Sequence, residues 1–176
     1  MIDFATGSAD VPRAILRWAS RRGFDVRITA IDFHAATARL AASQNERHEL
    51  TILQADALNV PFEPGSFDYV LCSMFLHHLS EDEAVRVLQA MDRVARRGIV
   101  AADLLRERPA YNWIRLMTMF SRPMIRHDAV VSVMQAFSPE EVITLRDRAG
   151  ISYAQYHRHF AHRFVLAGEK QIVVNT

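Results

Sequence analysis

Residues able to do chemistry recur in this chain at one kind of position, where a short apolar run ends. They are Asp3 with the small-residue turn to Gly7, then Asp32, Asp56, the Cys72–His78 run and Asp103. Carboxylates accept hydrogen bonds from hydroxyl and amino groups, and histidine exchanges a proton near neutral pH. Asp32 follows Gly7 by 25 residues, near the spacing of about 20 at which a carboxylate meets nucleotide ribose hydroxyls. Its blander role is to cap the alanine-rich helix after it. Asp56, with Ala57, falls in a loop where it can accept from an adenine amino group or simply turn the chain before Asn59. Thr6-Gly7-Ser8, between a strand and a helix, offers free backbone N–H groups to a ligand. Only the central glycine of a G-x-G-x-x-G turn is present, in D-F-A-T-G-S-A-D.

His77 and His78 follow the fourth strand, where one of them can take a proton from an acceptor; Asp103 can orient or share that proton. His78 can instead simply hold the loop through its backbone. His127-Asp128, read as lying in a loop, is a second acid/base candidate that would meet the substrate. His157, His159 and His162 have no cysteine or carboxylate partner nearby in sequence, so no metal is expected. Lys170 is the only lysine, which excludes phosphate-loop and Schiff-base chemistry, and no G-x-S-x-G elbow is present.

These residues need strands ending at one edge, and the chain alternates strand and helix signals. After Met1–Phe4, Asp10 is read as the cap of a helix with Pro12 in its first turn. Val11, Ala14, Ile15 and Trp18 supply its buried face, and Gly23 its end. Strands are expected at Val26–Ile31, Leu50–Leu53, Tyr69–Cys72 and Ile99–Ala102, with a helix at about Ala35–Ser43. A capping box at Ser80 and Glu83 opens a helix with the stripe Ala84, Val87, Leu88, Met91 and Val94. Arg96 and Arg97 are assigned to that helix's negative end, with Gly98 leading into the next strand. Residues 104–137 break the alternation and read as one or two inserted helices. Ser138–Glu141 caps another helix that stops at Gly150, and strands near 152–160 and 163–168 form an antiparallel hairpin.

The chain has 176 residues, 21 Lys+Arg against 20 Asp+Glu, a net charge of +1 and 50% hydrophobic residues. Such a length suits one domain, 1–176. The even charge argues against nucleic acid as a partner. No apolar run reaches the roughly 18–20 residues of a membrane span, so no membrane partner is expected. Cys72 is the sole cysteine, as in a reducing compartment, and the expected location is cytoplasmic.

The blocks D-F-A-T-G-S, A-I-D, Q-A-D-A-L-N-V-P-F and F-D-Y-V-L-C-S-M-F-L-H-H-L resemble the class I S-adenosylmethionine-dependent methyltransferases, within them the small-molecule group with an L-H-H-L run. The resemblance extends to about Gly168. It implies an α/β, doubly wound, Rossmann-like sheet of seven strands, mostly parallel with an antiparallel last strand, and a helical insertion after strand five. It also implies S-adenosyl-L-methionine as cofactor, with Asp3, Ala5 and Gly7 near its amino-acid part, and Asp32 with Phe33 near the ribose. Asp56 and Ala57 would lie near the adenine, and Cys72 and Ser73 under the methionine portion. In related O-methyltransferases a histidine of this pair and an acid at this strand end act on the acceptor, so His77, His78 and Asp103 become the catalytic candidates. The implied partner is a small-molecule acceptor methylated on a hydroxyl.

Residues 104–137 would form a lid that selects this acceptor. In it Tyr111, Trp113, Met117, Met119 and Phe120 line an apolar pocket or ordinary core. Arg106, Arg108, Arg115, Arg122 and Arg126 meet an anionic acceptor or form a solvated face. Two departures stand out. Ala5 and Ala9 occupy positions where the family usually has glycine, which implies a narrower approach to the cofactor. Met1 lies inside the first strand, so the helical segment that family members carry before it is expected to be missing. The competing readings are a non-catalytic or partner-dependent cofactor-binding remnant and a nicotinamide-dependent reductase. The latter lacks a Tyr-x-x-x-Lys pair, because Leu166 stands four residues before Lys170.

Overall fold

The computed structural model describes residues 1–43, 50–119 and 122–171. Seven strands, β1 (Ile2–Phe4), β2 (Ile28–Asp32), β3 (Leu50–Gln54), β4 (Phe67–Ser73), β5 (Ala95–Leu104), β6 (Gln155–His159) and β7 (Arg163–Glu169), make one sheet in the order β3-β2-β1-β4-β5-β7-β6. The pairs among β1 to β5 are parallel, and β7 runs antiparallel to both β5 and β6. This is the expected doubly wound sheet. From β1 the chain builds outward to β2 and β3, then returns to lay β4 on the other side of β1. That reversal opens a crevice at the carboxyl ends of β1 and β4, where ligands bind in such sheets.

The helices are α1 (Asp10–Arg22), α2 (Ala35–Ser43), α3 (Glu81–Val94), α4 (Arg108–Met117), α5 (Pro123–Gln135) and α6 (Pro139–Ala149), with a short 3-10 turn at Leu76–His78. Among the described residues no helix is long and apolar enough to cross a membrane. On one face of the sheet, Ala84, Val87, Leu88, Met91 and Val94 of α3 are fully buried, as their spacing predicts. A smaller cluster, with Ala9, Ile28, Ala30, Ala41 and Leu50, lies under α1 and α2. Both expected capping boxes form: Ser80 with Glu83, and Ser138 with Glu141. Gly23 and Gly150 end their helices in the left-handed region.

Four local readings need correction. Asp10 is the first residue of α1 rather than its cap. The left-handed Ala9 precedes it, and the Asp10 carboxylate instead accepts from Ser8 and Arg13. The buried face of α1 carries Pro12 and Ala19, with Ile15 and Leu16 half-buried, while Val11, Ala14 and Trp18 face outward. The period was right and the phase was off by one residue; Trp18 stacks on Phe24 at the surface. Arg96 and Arg97 belong to β5, because the chain passes from α3 into that strand without a loop. Arg96 pairs with Asp68 and Arg97 lies over the Tyr69 ring. Gly98 is therefore a mid-strand residue. A Cβ there would stand 2.3 Å from the Gly168 carbonyl oxygen, so glycine is what lets β7 approach.

The inserted segment contains two helices, α4 and α5, and α5 packs against the Leu76–His78 turn. His127 and Asp128 lie inside α5, not in a loop after it. The final hairpin forms as expected, turning through Ala161 and His162 with positive φ. Just past β7, Lys170 Nζ donates to the carbonyls of Asp92 and Ala95 at 2.6 and 2.9 Å and reaches the Asp92 carboxylate at 3.1 Å.

Candidate functional site

The parallel register sets the ends of β2 and β4 level with that of β1, since Phe4 pairs with both Ile31 and Cys72. Beyond these ends lies a cleft of about 610 Å³, within the size range of ligand pockets. Of the expected cofactor residues, Ala5, Gly7, Asp32, Phe33, Asp56 and Ala57 line it, and so does His78. Thus the first turn, β2, the loop after β3 and the loop after β4 meet around one space.

The first turn is held by two carboxylates. Asp3, buried at the end of β1, accepts from the Thr6 hydroxyl at 2.6 Å through Oδ2, while its Oδ1 is buried without a partner. Burial pushes the Asp3 carboxyl up to about 6, partly offset by the Thr6 bond. Asp32 accepts from the Gly7 N–H at 2.9 Å through Oδ2 and from the His34 N–H at 2.9 Å through Oδ1. It therefore organises both the glycine turn and the entry to α2, and each oxygen keeps a further lone pair. Gly7 has φ 56°.

Ala5 (φ 52°) and Ala9 (φ 61°) also adopt the left-handed backbone that glycine prefers. Ala5 lines the cleft, but the Ala9 methyl is buried in the small cluster under α1 and does not narrow it. An L-residue there costs about 1–2 kcal/mol. Ala5→Gly, which loses only a half-buried methyl, is expected to raise stability by about 1 kcal/mol, measured as a shift of the urea midpoint at constant slope.

The two histidines have different surroundings. His77 is buried: its Nδ1 lies 2.6 Å from Asp103 Oδ1, and its backbone N–H donates to Asp103 Oδ2 at 3.2 Å. Asp103 also accepts from the Leu104 N–H at 2.7 Å. With the carboxylate as acceptor, the His77 proton sits on Nδ1. His78 faces the cleft, its ring 4.0 Å from that of His77. Burial and then the neighbouring His77 hold the His78 pKa below its ordinary value, opposed by Asp103 and by Asp128 on α5.

Other expected residues lie elsewhere. Cys72 is fully buried under the cleft, where burial, Asp3 and Asp103 push its thiol well up, so it is no thiolate nucleophile. Ser73 ends β4 half-buried, outside the cleft lining. Tyr111 lies under the Arg115 guanidinium, and Trp113 meets Phe160 edge-on at 6.0 Å, so neither lines the cleft. Met117 and Met119 are exposed. Phe120 and the Arg126 side chain lie outside the described residues. Arg106 pairs with Glu141. His159 pairs across the hairpin with Arg163, and no metal-holding group of three His, Cys, Asp or Glu occurs among the described residues.

Sequence reasoning missed His34, Thr37, Ala55, Leu58, Met74 and Phe75 as lining residues. Thr37 could have been found from helical spacing, one turn into the helix that follows Asp32. Met74 could not, because it enters the cleft from a left-handed backbone (φ 57°) that nothing in its side chain favours.

A model of the methyltransferase domain matches residues 2–102. Solved structures share the fold. A methyltransferase from Aquifex aeolicus, dependent on S-adenosylmethionine, aligns with TM-score 0.70 and 16% identity over 96% of this chain and 80% of its own. Human N-acetylserotonin methyltransferase, in complex with S-adenosylmethionine, gives 0.69 and 14% over 97% of this chain and 47% of its own. An O-methyltransferase family 2 protein from Planctomyces limnophilus, in complex with apigenin, gives 0.69 and 20% over 96% of this chain and 49% of its own. With the matched domain spanning more than half of its residues, the chain belongs to the methyltransferase-domain family, the class I S-adenosylmethionine-dependent methyltransferases.

Proposed function

We propose that this chain binds S-adenosylmethionine in the 610 Å³ cleft and catalyses methyl transfer to a hydroxyl oxygen of a small molecule, with His78 receiving the acceptor's proton. The observation that carries the reading is the meeting of His78 with the glycine turn, Asp32 and Asp56 around one space. Asp3 is outside the cleft lining, but its orphaned, buried Oδ1 at the end of β1 is a polar group that a cofactor's ammonium would satisfy. Asp32 retains lone pairs for ribose hydroxyls, and the exposed Phe33 ring with Asp56 and Ala57 suits a purine. The residues therefore fit the cofactor.

When bound, the sulfonium supplies an electrophilic methyl group. The protein's own work is alignment and proton removal. The first turn and Asp32 hold the cofactor's polar end, while α4 and α5 act as a lid that keeps water from the acceptor. His78, in its neutral form, would take the hydroxyl proton of an acceptor placed in the cleft. The buried His77–Asp103 pair positions the turn that carries His78. Asp128, exposed on α5 and close enough to act on His78, is the lid residue best placed to meet the acceptor, with His127 beside it. Neither Tyr111 nor Trp113 keeps an acceptor role in this reading.

Calorimetric titration with S-adenosylhomocysteine and with NADH tests the cofactor. Binding of NADH alone would favour a reductase, and binding of S-adenosylhomocysteine without turnover would favour a non-catalytic remnant. Asp3→Asn should weaken S-adenosylhomocysteine binding by about 10–100-fold, the worth of a hydrogen bond to a charged group. The same carboxyl sets a pH dependence. Its folded pKa of about 6 is above the ordinary 3.8, so ligand-free stability falls as pH rises from about 4 to 6 and is level above. Asp3→Asn should remove that slope, making the variant the more stable of the two at pH 8 while it binds ligand less well. Thermal melts at pH 4 and pH 8 read the first effect; an unchanged slope would contradict it.

A further inference from the structure

The lid is a flap with a pinned base. There Leu105 pairs with Phe137, the Arg106 N–H donates to the Phe137 carbonyl at 3.0 Å, and Arg106 pairs with Glu141 on α6. Beyond that pin α4 packs on α5, and α5 packs on the Leu76–His78 turn. Two contacts tie α4 to the β6–β7 hairpin. One is the edge-on pair of Trp113 with the solvent-exposed Phe160. The other is Glu107, the residue just before the first turn of α4. Its side chain is 14% exposed, and its Oε2 accepts from Arg158 at 2.7 Å and lies 3.0 Å from His162 Nδ1.

Arg158 shares a face of β6 with Tyr156, two residues earlier. Burial first, and then the Glu107 charge, pushes the Tyr156 phenol up, so Glu107 lies over that face. The hairpin tip is shaped for the contact. Ala161 and His162 have φ of 60° and 53°, though neither is glycine. Residues other than glycine keep such a backbone only where their surroundings hold it. Two such holds run to the lid: the His162 carbonyl accepts from the Leu105 N–H at 2.8 Å, and its ring meets Glu107. Glu107 is also the only acid between Asp103 and Asp128, so no neighbour in the lid can replace it.

We propose that Glu107 is a positioning residue for methyl transfer, a strap through which the β6–β7 hairpin fixes α4 and, through α5, the lid wall beside His78. Its role in the reaction rests on the methyl-transfer reading; the strap itself does not. No described residue of the lid lines the cofactor cleft, so strap and cofactor site are separable. With the strap broken the lid is closed only part of the time, and the acceptor's apparent affinity falls by that fraction.

Hydrogen exchange of the α4 amides tests the strap, with S-adenosylhomocysteine affinity and acceptor kinetics measured alongside. Glu107→Ala should speed α4 exchange about tenfold, the worth of a charged hydrogen bond, and leave β1, β4 and β5 unchanged. Glu107→Gln, which keeps an acceptor oxygen of the same reach, should fall between that variant and the wild type. In Glu107→Ala the acceptor KM should rise about tenfold with kcat changed less, while S-adenosylhomocysteine affinity stays within about twofold. Unchanged α4 exchange in both variants would overturn the strap. Equal loss of protection in α4 and the sheet core, or a matching fall in cofactor affinity, would also overturn it and make Glu107 a support of the whole fold. Failure of the wild type to bind S-adenosylhomocysteine would instead overturn the methyl-transfer role, leaving exchange to decide the strap.

Discussion

His77→Leu is expected to cost about 1–3 kcal/mol of folding stability, because it removes the side-chain hydrogen-bond partner of a buried polar group. Asp103 is 1% exposed, and three donors converge on its carboxylate: the His77 ring, the His77 N–H and the Leu104 N–H. Removing the ring leaves a buried carboxylate with backbone donors alone. Replacing both partners by apolar side chains should cost less than the sum of the two single changes, since the double variant loses their shared contact only once. Urea unfolding of both single variants and of the double variant measures the coupling. Additive losses would mean that the 2.6 Å contact contributes nothing of its own to folding.

His78→Gln should leave the fold intact and lower kcat by about 10²–10⁴-fold, the usual contribution of a positioned base. S-adenosylhomocysteine affinity should change only a few-fold. The assay is cofactor turnover on a hydroxyl acceptor, with ligand binding measured in parallel. The pH profile adds an independent check. His78 must be neutral to receive a proton, and its pKa is held below the ordinary 6.5. The acidic limb of kcat/KM should therefore fall below 6.5 and disappear in His78→Gln. Asp128→Asn removes a carboxylate that opposes the shift, so it should move that limb further toward acid. Equal loss of affinity and turnover in His78→Gln would make the residue structural.

The strand ends were legible because four of the five parallel strands' apolar runs stop at or just before a carboxylate, and a parallel sheet brings such ends to one edge. Asp3, Asp32, Asp56 and Asp103 could be placed in that way, and so could both capping boxes and the final hairpin. The division of work between His77 and His78 was not legible. Adjacent residues of a 3-10 turn diverge by about 120°, so one ring can enter the core while the next enters the cleft. Only the position of Asp103 across β4 and β5 decides which. The phase of α1 was hidden for a related reason: Trp18 looks like core, yet the sheet beneath takes the smaller Pro12 and Ala19 and leaves the indole outside. The reach of β5 back to Ala95 was masked by Arg96 and Arg97, whose charges find Asp68 and the Tyr69 ring at the sheet's end.

Lys170 gives the chain's lopsided choice of cations a geometric explanation. An ammonium is a tripod with three N–H bonds, and here three oxygens, two carbonyls and a carboxylate of the α3–β5 junction, gather around it. A guanidinium is a flat fork whose donors spread in one plane, which suits the surface pairs that arginine makes elsewhere in this protein but not a convergent cup. A chain that otherwise uses arginine for every cation has kept lysine at the one described place where a round, three-pronged charge closes the end of its last strand onto the helix beneath.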